Sequence, residues 1–202
     1  MAQNSNIQGF LNTIQNGVRP NLFEVEFLFP DNLSGVSDTV RSVSSVLCKS
    51  AALPASNLGV IEVPFRGRTV KIAGDRTFDT WTATFINDTD FAIRGAMEKW
   101  MDAINKHEQN TATHFNPAGT AGATKYTADL VVKQLKRDTA ATGTTVTGYK
   151  LWGCFPTNIS QIDLAYDSND QIEDFTVEFQ LQYWTRGDSS SYDSVIAGAS
   201  GS

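Results

Sequence analysis

The sequence predicts a single-domain, mainly β protein, and three observations carry that expectation. Phe175–Tyr183 alternates throughout: Phe175, Val177, Phe179, Leu181 and Tyr183 take one side, and Thr176, Glu178, Gln180 and Gln182 the other. That is the period of a half-buried strand. Further alternating segments recur along the chain between turn residues. Only one long stretch, from Asp88 to about Lys106, carries a helical apolar stripe.

The elements follow in order. Ile7, Phe10, Leu11 and Ile14 fall at helical spacing, so a short amphipathic N-terminal helix is expected, capped by Ser5 or Asn6 and ended by Gly17. A helix this short needs a surface to dock on, in its own subunit or a neighbour. Leu22–Phe29 places Phe23, Val25, Phe27 and Phe29 on one face of a strand. Pro30–Ser42 reads as a polar loop, and Val43–Lys49 as extended chain. Pro54 turns the chain; Val60–Phe65 and Arg68–Ala73 then pair across Arg66-Gly67, with Pro64 marking an edge or a bulge. Thr80–Ile86 alternates Thr80, Thr82 and Thr84 with Trp81, Ala83 and Phe85.

The long helix is capped by Asp88 or Thr89 and shows Ile93, Met97, Trp100, Met101 and Ile104 on its apolar side. Asn110–Thr124 is a long loop. Ala128–Leu135 and Thr145–Leu151 read as strands joined through Asp138–Gly143. Ile159–Tyr166 and Ile172–Tyr183 are expected to form a hairpin around Asp167-Ser168-Asn169-Asp170, a β-turn that lacks the glycine and late glutamate of a calcium loop. The whole of residues 1–202 forms one domain, with residues 1–18 as a helical arm and the Ser/Gly-rich residues 186–202 as a flexible tail.

Composition narrows the function. Lys and Arg number 16 against 22 Asp and Glu, giving a net charge of −6. That disfavours a protein that grips nucleic acid through a basic patch, though not one past which nucleic acid slides. Cys48 and Cys154 have neither metal spacing nor disulfide density and read as buried hydrophobes. No apolar stretch approaches the ~18 residues of a membrane span. MAQNSNIQGF has no secretory pattern, so a cytosolic protein is expected.

Catalytic chemistry finds no foothold. His107 and His114 are read as solvated side chains at a helix end and in a loop, and neither cysteine has a histidine in a catalytic spacing. No phosphate-binding glycine motif stands before a helix. No enzyme activity, metal or cofactor is expected. Gly74-Asp75-Arg76 is either a turn with a local Asp–Arg pair or a subunit-contact loop. Six acids and no Lys or Arg lie between Ser160 and Gln180 (Asp163, Asp167, Asp170, Glu173, Asp174 and Glu178). That run is either a solvated face or a lining that repels a polyanion.

An ordered set of segments resembles a known family. Arg19-Pro20-Asn21-Leu22-Phe23-Glu24-Val25 and Cys48-Lys49-Ser50-Ala51-Ala52-Leu53-Pro54 are followed by Val63-Pro64-Phe65-Arg66-Gly67-Arg68 and Ile72-Ala73-Gly74-Asp75-Arg76-Thr77-Phe78. Phe155-Pro156-Thr157-Asn158, Tyr166-Asp167-Ser168-Asn169 and the closing Phe175–Trp184 complete it. Together these resemble the tail tube proteins of contractile-tailed bacteriophages across about Arg19–Trp184. The resemblance implies an antiparallel β-sandwich or barrel-like subunit with one flanking α-helix. It further implies homo-hexameric rings stacked into a tube inside a contractile sheath, in a virion tail assembled in the host cytoplasm.

The implied partners are the tail sheath, baseplate and tail terminator proteins, with viral DNA passing through the lumen during ejection without sequence-specific binding; no membrane is involved. The alternative is the inner tube of a contractile injection system that delivers protein effectors. On this reading Thr80, Thr82, Thr84, Glu178, Gln180 and Gln182 line the lumen. Gly74, Asp75 and Arg76, with Ile7, Phe10, Leu11 and Ile14, contact neighbouring subunits.

Overall fold

Alternating apolar residues make strands, but where each strand stops is set by the partner it pairs with. The computed structural model describes residues 7–14, 17–30, 33, 36, 38–117, 125–136, 145–167 and 171–187. The expected caps Ser5 and Asn6, the connection 138–143 and the tail beyond residue 187 lie outside the described residues. In chain order the elements are α1 (Ile7–Ile14), β1 (Phe23–Phe27), α2 (Asp38–Val46), β2 (Cys48–Ala51), β3 (Asn57–Phe65) and β4 (Arg68–Thr77). They continue with β5 (Trp81–Ile86), α3 (Ala92–Ile104), β6 (Ala128–Leu135), β7 (Thr145–Ile159), β8 (Asp174–Gln180) and β9 (Tyr183–Gly187).

One antiparallel sheet runs β1-β6-β7-β8-β5-β2, with β9 also on β7; β3 and β4 pair separately as a two-stranded ribbon. The mainly β, antiparallel fold expected from the sequence is therefore present, without closure into a barrel within one chain.

The long strand β7 bends the sheet into two layers. Its first half, Thr145–Cys154, pairs with β6; its second half, Phe155–Ile159, pairs with β8. Between them Gly153 has φ +63°, a left-handed conformation open to glycine without steric cost. The partner strand breaks at the same level. β8 pairs with β7 at Phe155↔Gln180, and β9 continues in the same register at Trp152↔Tyr183. Leu181 and Gln182 absorb the bend, and the Gln182 N–H donates to the Trp152 carbonyl at 3.0 Å.

The expected strand Phe175–Tyr183 is thus two strands. Past the bend it is Trp184 that packs on the core, whereas Tyr183 is 46% exposed and stacks on Trp152.

The core lies between the layers and is mostly aromatic. Phe27 on β1 meets Phe85, Phe179 and Trp81 at centroid distances of 5.1, 6.0 and 6.2 Å. α3 adds Trp100, which packs against Phe29 and Phe179 at 5.7 and 6.1 Å. Each such ring contributes on the order of 1.5–3 kcal/mol by leaving water. Both indole N–H groups are satisfied, Trp100 donating to the Tyr126 carbonyl and Trp81 to the Ala52 carbonyl, each at 2.6 Å. On the outer side of β6 two buried lysines are paired, Lys133 with Glu26 and Lys150 with Asp129.

α3 starts later than its sequence suggests: Phe91, at φ 52°, holds the N-cap position in place of Asp88 or Thr89 and makes no side-chain cap bond, while the Asp88 carboxylate accepts from the Ala92 N–H at 3.0 Å. It stops at Ile104, where the Asn105 N–H closes the last turn on the Met101 carbonyl.

Three further expectations are corrected. Asp38–Ser42, expected within the loop Pro30–Ser42, and Val43–Val46, expected as extended chain, together form the helix α2. Val40 and Ser44 are buried and Val43 and Leu47 pack on the core, a helical stripe whose docking on β1 and α3 outweighs the modest helix propensity of valine and serine. Ile159–Tyr166 is not a strand of its own: β7 ends at Ile159, and residues 160–167 and 171–173 belong to no strand; of the expected turn, Ser168, Asn169 and Asp170 lie outside the described residues. His114 is buried, 8% exposed, with its backbone N–H on the Ala103 carbonyl at 2.8 Å.

Two predictions follow from the bend and the core. A methyl group on Gly153 would stand 2.8 Å from Gln182 Cγ in a left-handed backbone. Gly153→Ala is expected to lower stability by about 1–3 kcal/mol in denaturant titrations, the cost of a strained non-glycine φ. Burial pushes the Cys48 thiol up to about 11; burial and the nearby Asp129 charge push Cys154 up to about 12. At pH 8 roughly one Cys48 in a thousand is thiolate, so thiol reagents should label neither cysteine until denaturant is added. Fast labelling of the native protein would contradict their placement.

Candidate functional site

The strands β2, β5, β8 and the second half of β7 form a four-stranded layer whose inner face is core. Because successive strand residues point to opposite faces, the outer face takes the alternate positions. Thr82, Thr84, Thr176, Glu178 and Gln180 stand there, exposed or half-buried. Thr82 lies opposite Glu178 and Thr84 opposite Thr176, with the two threonine hydroxyls 3.1 Å apart. Lys49, exposed on β2, is ion-paired with Asp174 at the start of β8. The layer therefore presents a hydroxyl- and amide-rich surface with one carboxylate in its middle.

Four of the six residues expected to line a lumen share this face. Thr80 is exposed one residue before β5, and Gln182 is exposed at the bend after β8. The edges of the layer are β2 and Phe155–Ile159; among the described residues no strand pairs with either on its outer side.

The ribbon β3–β4 is exposed along nearly its whole length. Its turn has φ +46° at Arg66 and +81° at Gly67, the two positive values of a tight two-residue hairpin. Ile61, Val63 and Phe65 lie opposite Ile72, Val70 and Arg68, so one face is an apolar stripe. The other carries Glu62 and Lys71, ion-paired at 3.8 Å.

Gly74, Asp75 and Arg76 belong to β4 and do not form a turn. In a strand neighbours point to opposite sides, so a local Asp75–Arg76 pair does not form, and Arg76 instead donates to the Ser56 hydroxyl at 3.2 Å. Gly74 faces Gly59 at a register shift. A Cβ on either would come within 3.1 Å of the opposing backbone, and this close approach is why both are glycine.

The remaining expected contact residues also face outward. Ile7, Phe10, Leu11 and Ile14 lie on α1 and are 47% to 79% exposed, so the stripe is not covered by its own subunit. The Gly17 N–H closes the helix on the Ile14 carbonyl. Of the acidic run, Asp163, Asp167, Glu173 and Asp174 cluster in and beside the connection 160–173, whereas Glu178 stands in mid-sheet; Asp170 lies outside the described residues. The prominent exposed apolar residues of that connection, Leu164, Tyr166 and Ile172, had no periodicity to reveal them. His107 is exposed beside Asp102, and its hydrogen bonds hold the Asp102 carboxyl below its usual range.

Among the described residues no cluster of His, Cys, Asp and Glu could hold a metal ion, and no helix is long and apolar enough to cross a membrane.

Comparison with known proteins shows which family the chain resembles. Residues 18–187 match the family model described as phage tail tube protein. The tail tube protein gp19 of Enterobacteria phage T4 is 35% identical over 166 residues, covering 82% of this chain and 90% of its own. The tail tube protein of Serratia phage KSP90 is 30% identical over 162 residues, covering 80% and 84%. Among solved structures, a chain of the tube-terminating cap of the anti-feeding prophage superposes with a TM-score of 0.58 at 16% identity, covering 86% of this chain and 93% of that one. A chain of the sheath-tube complex of an extracellular contractile injection system gives 0.52 at 12% identity, covering 91% and 99%. These two share the fold.

The exposure of the ribbon has a measurable consequence. A two-stranded hairpin alone in water is marginally stable. In hydrogen exchange on the dilute subunit, the amides of residues 57–77 should exchange far faster than those of β5 and β8. Equal protection in the two regions would show that the ribbon is covered within one chain.

Proposed function

The chain belongs to the phage tail tube protein family, as a structural component of the virion tail, and from that premise we propose that its subunits close into hexameric rings that stack into a conduit for viral DNA. The observation that supports this most is the four-stranded layer with a polar outer face and two unpaired edges. Open edges attract further strands. Pairing β2 of one subunit with Phe155–Ile159 of the next removes every such edge once the ring closes. Six subunits then give a barrel of about 24 strands; at strand spacings of about 4.8 Å and tilts near 40°, its backbone diameter is about 50 Å. Side chains leave a bore wide enough for a nucleic-acid duplex.

The facing of the layer gives the bore its character. Thr82, Thr84, Glu178 and Gln180 line it, with Thr80 and Gln182 toward its margins. Lys49 adds little net positive charge because Asp174 neutralises it. Phosphates passing within about a Debye length, ~8 Å, of Glu178 are repelled, and threonine and glutamine offer only neutral hydrogen bonds. A duplex therefore slides without being held.

Outside the bore, α1 and the ribbon, including Gly74, Asp75 and Arg76, bridge subunits. The sheath surrounds the tube, which runs between the baseplate and a terminator. The alternative is a tube that delivers protein effectors, and it draws on the injection-system origin of the fold neighbours. The phage relatives at 30% and 35% identity favour DNA.

Electron microscopy of the purified protein should show six-fold rings or hollow tubes; a monodisperse monomer at all concentrations would overturn the proposal. Arg76→Ala removes the hydrogen bond to Ser56 and a cation of the ribbon. It should slow tube growth severalfold in light scattering while leaving circular dichroism and thermal unfolding nearly unchanged.

A further inference from the structure

The chain that leaves β2 is held by two indoles. Trp81 donates to the Ala52 carbonyl at 2.6 Å, and Trp184 on β9 donates to the Ala55 carbonyl at 2.9 Å. Leu53 stands between these anchors and is 46% exposed. Pro54 follows it, and a residue before proline favours extended backbone. Ala51 lies opposite the buried Ala83 and so points to the core side of the layer. In extended chain Leu53, two residues on, turns to the same side. The backbone is thus fixed before and after an apolar side chain that its own subunit leaves nearly half uncovered.

A hollow of about 500 Å³ opens at the other edge of the layer. Met101 and Ile104 from the end of α3 and Phe155 and Pro156 from β7 form its apolar walls, with Asn105 and Thr157 beside them. α3 packs on the core side, where Trp100 meets Phe179, so the hollow lies toward that side of the open edge. Leu53 is not among the residues that line it within one chain.

Strand direction and facing bring the two together between copies. Every neighbouring pair in the layer is antiparallel, so with four strands per copy β2 also runs antiparallel to Phe155–Ile159 of the next. Inward positions must meet inward positions. On β2 these are Cys48 and Ala51, opposite Phe85 and Ala83; on β7 they are Pro156 and Ile159, opposite Phe179 and Val177. Each pair is three residues apart and contains one register shift, so Ala51 can face Pro156 while Cys48 faces Ile159. The chain past Ala51 then runs beside Phe155, and Leu53 reaches the level of the hollow. Facing alone does not choose this register, because a slip of two residues keeps every inward position inward.

Resting on the ring reading above, we propose that Leu53 of one copy seats in the hollow of the next and so fixes the register at which the ring closes. A slip of two residues moves Leu53 by about 7 Å and takes it off Met101 and Ile104. Leucine needs only apolar walls and no polar partner. Trp81 and Trp184 act as positioning residues, because a chain they already hold loses little freedom on docking.

Substitution and cross-linking test the contact. Leu53→Asp should need roughly tenfold more protein, or beyond, to form rings or tubes, whereas Leu53→Met should assemble near the parent concentration. Leu53 is exposed, so both variants should keep the parent's circular dichroism. Leu53→Cys with Asn105→Cys then locates the neighbour: a short bis-maleimide added to assembled protein should give covalent multimers ending at six copies on a denaturing gel. Cys48 and Cys154, both buried, leave the parent unlinked. Normal assembly of Leu53→Asp, or no multimers from assembled double-cysteine protein, overturns the docking. A ladder running past six copies also overturns it, because the contact then joins separate rings. Should Met101→Asp block assembly while Leu53→Asp does not, another segment fills the hollow. If the parent forms neither rings nor tubes, the ring reading itself fails and the docking goes with it.

Discussion

The subunit depends on one joint bend shared by two paired strands. At Gly153 the backbone takes a positive φ, and at Leu181–Gln182 the partner strand leaves regular geometry, yet the β7 register carries through from β8 to β9. A paired ladder cannot turn sharply in one strand alone without losing hydrogen bonds. Turning both together keeps the ladder and folds one sheet around Phe27, Phe85, Phe179 and Trp100. The same bend separates the layer carrying β1 and β6 from the layer carrying β5 and β8. The polar layer can then present its outer face while its inner face is fully core.

This division explains why so much apolar surface remains outside. The core closes within one chain: Trp81 and Trp100 have their N–H groups bonded, and the buried Lys133 and Lys150 on the outer side of the sheet are paired. Meanwhile α1, the ribbon and the connection 160–173 expose Phe10, Phe65 and Leu164. Exposed apolar surface on this scale marks interaction sites in a soluble chain. Glycine at both Gly59 and Gly74 suits the ribbon, because a Cβ there would stand only 3.1 Å from the opposing backbone, tighter than an ordinary contact.

Residues of strong alternation were read correctly because alternation reports burial against whatever lies inside. Phe23–Phe27, Trp81–Ile86, Ala128–Leu135 and most of Phe175–Gln180 needed no knowledge of their partners. The helix α2 is not legible in the sequence because valine and serine carry little helical preference, and it is held by docking on β1 and α3. Gly74-Asp75-Arg76 resembled a turn by composition, yet β3 holds it extended. Ile159–Tyr166 has strand-forming residues, but the β8 ladder ends at Ile159, with one more bond from the Ser160 N–H to the Thr176 carbonyl, and residues 161–166 pair with no strand.

Sequence alone determined that this chain is β-rich, that one face of its strands is polar, and that no catalytic constellation is visible; an ordered set of segments also carried its family resemblance. Those properties are local, written in spacing and residue type. Tertiary structure decided which polar residues share a face, placing Thr82, Thr84, Glu178 and Gln180 together and leaving Thr80 and Gln182 at the margins. It also decided that β2 and the hollow at the end of α3 stand at opposite edges of one layer. Such placements depend on which distant strands pair and in which direction, and no local pattern encodes pairing between residues a hundred positions apart.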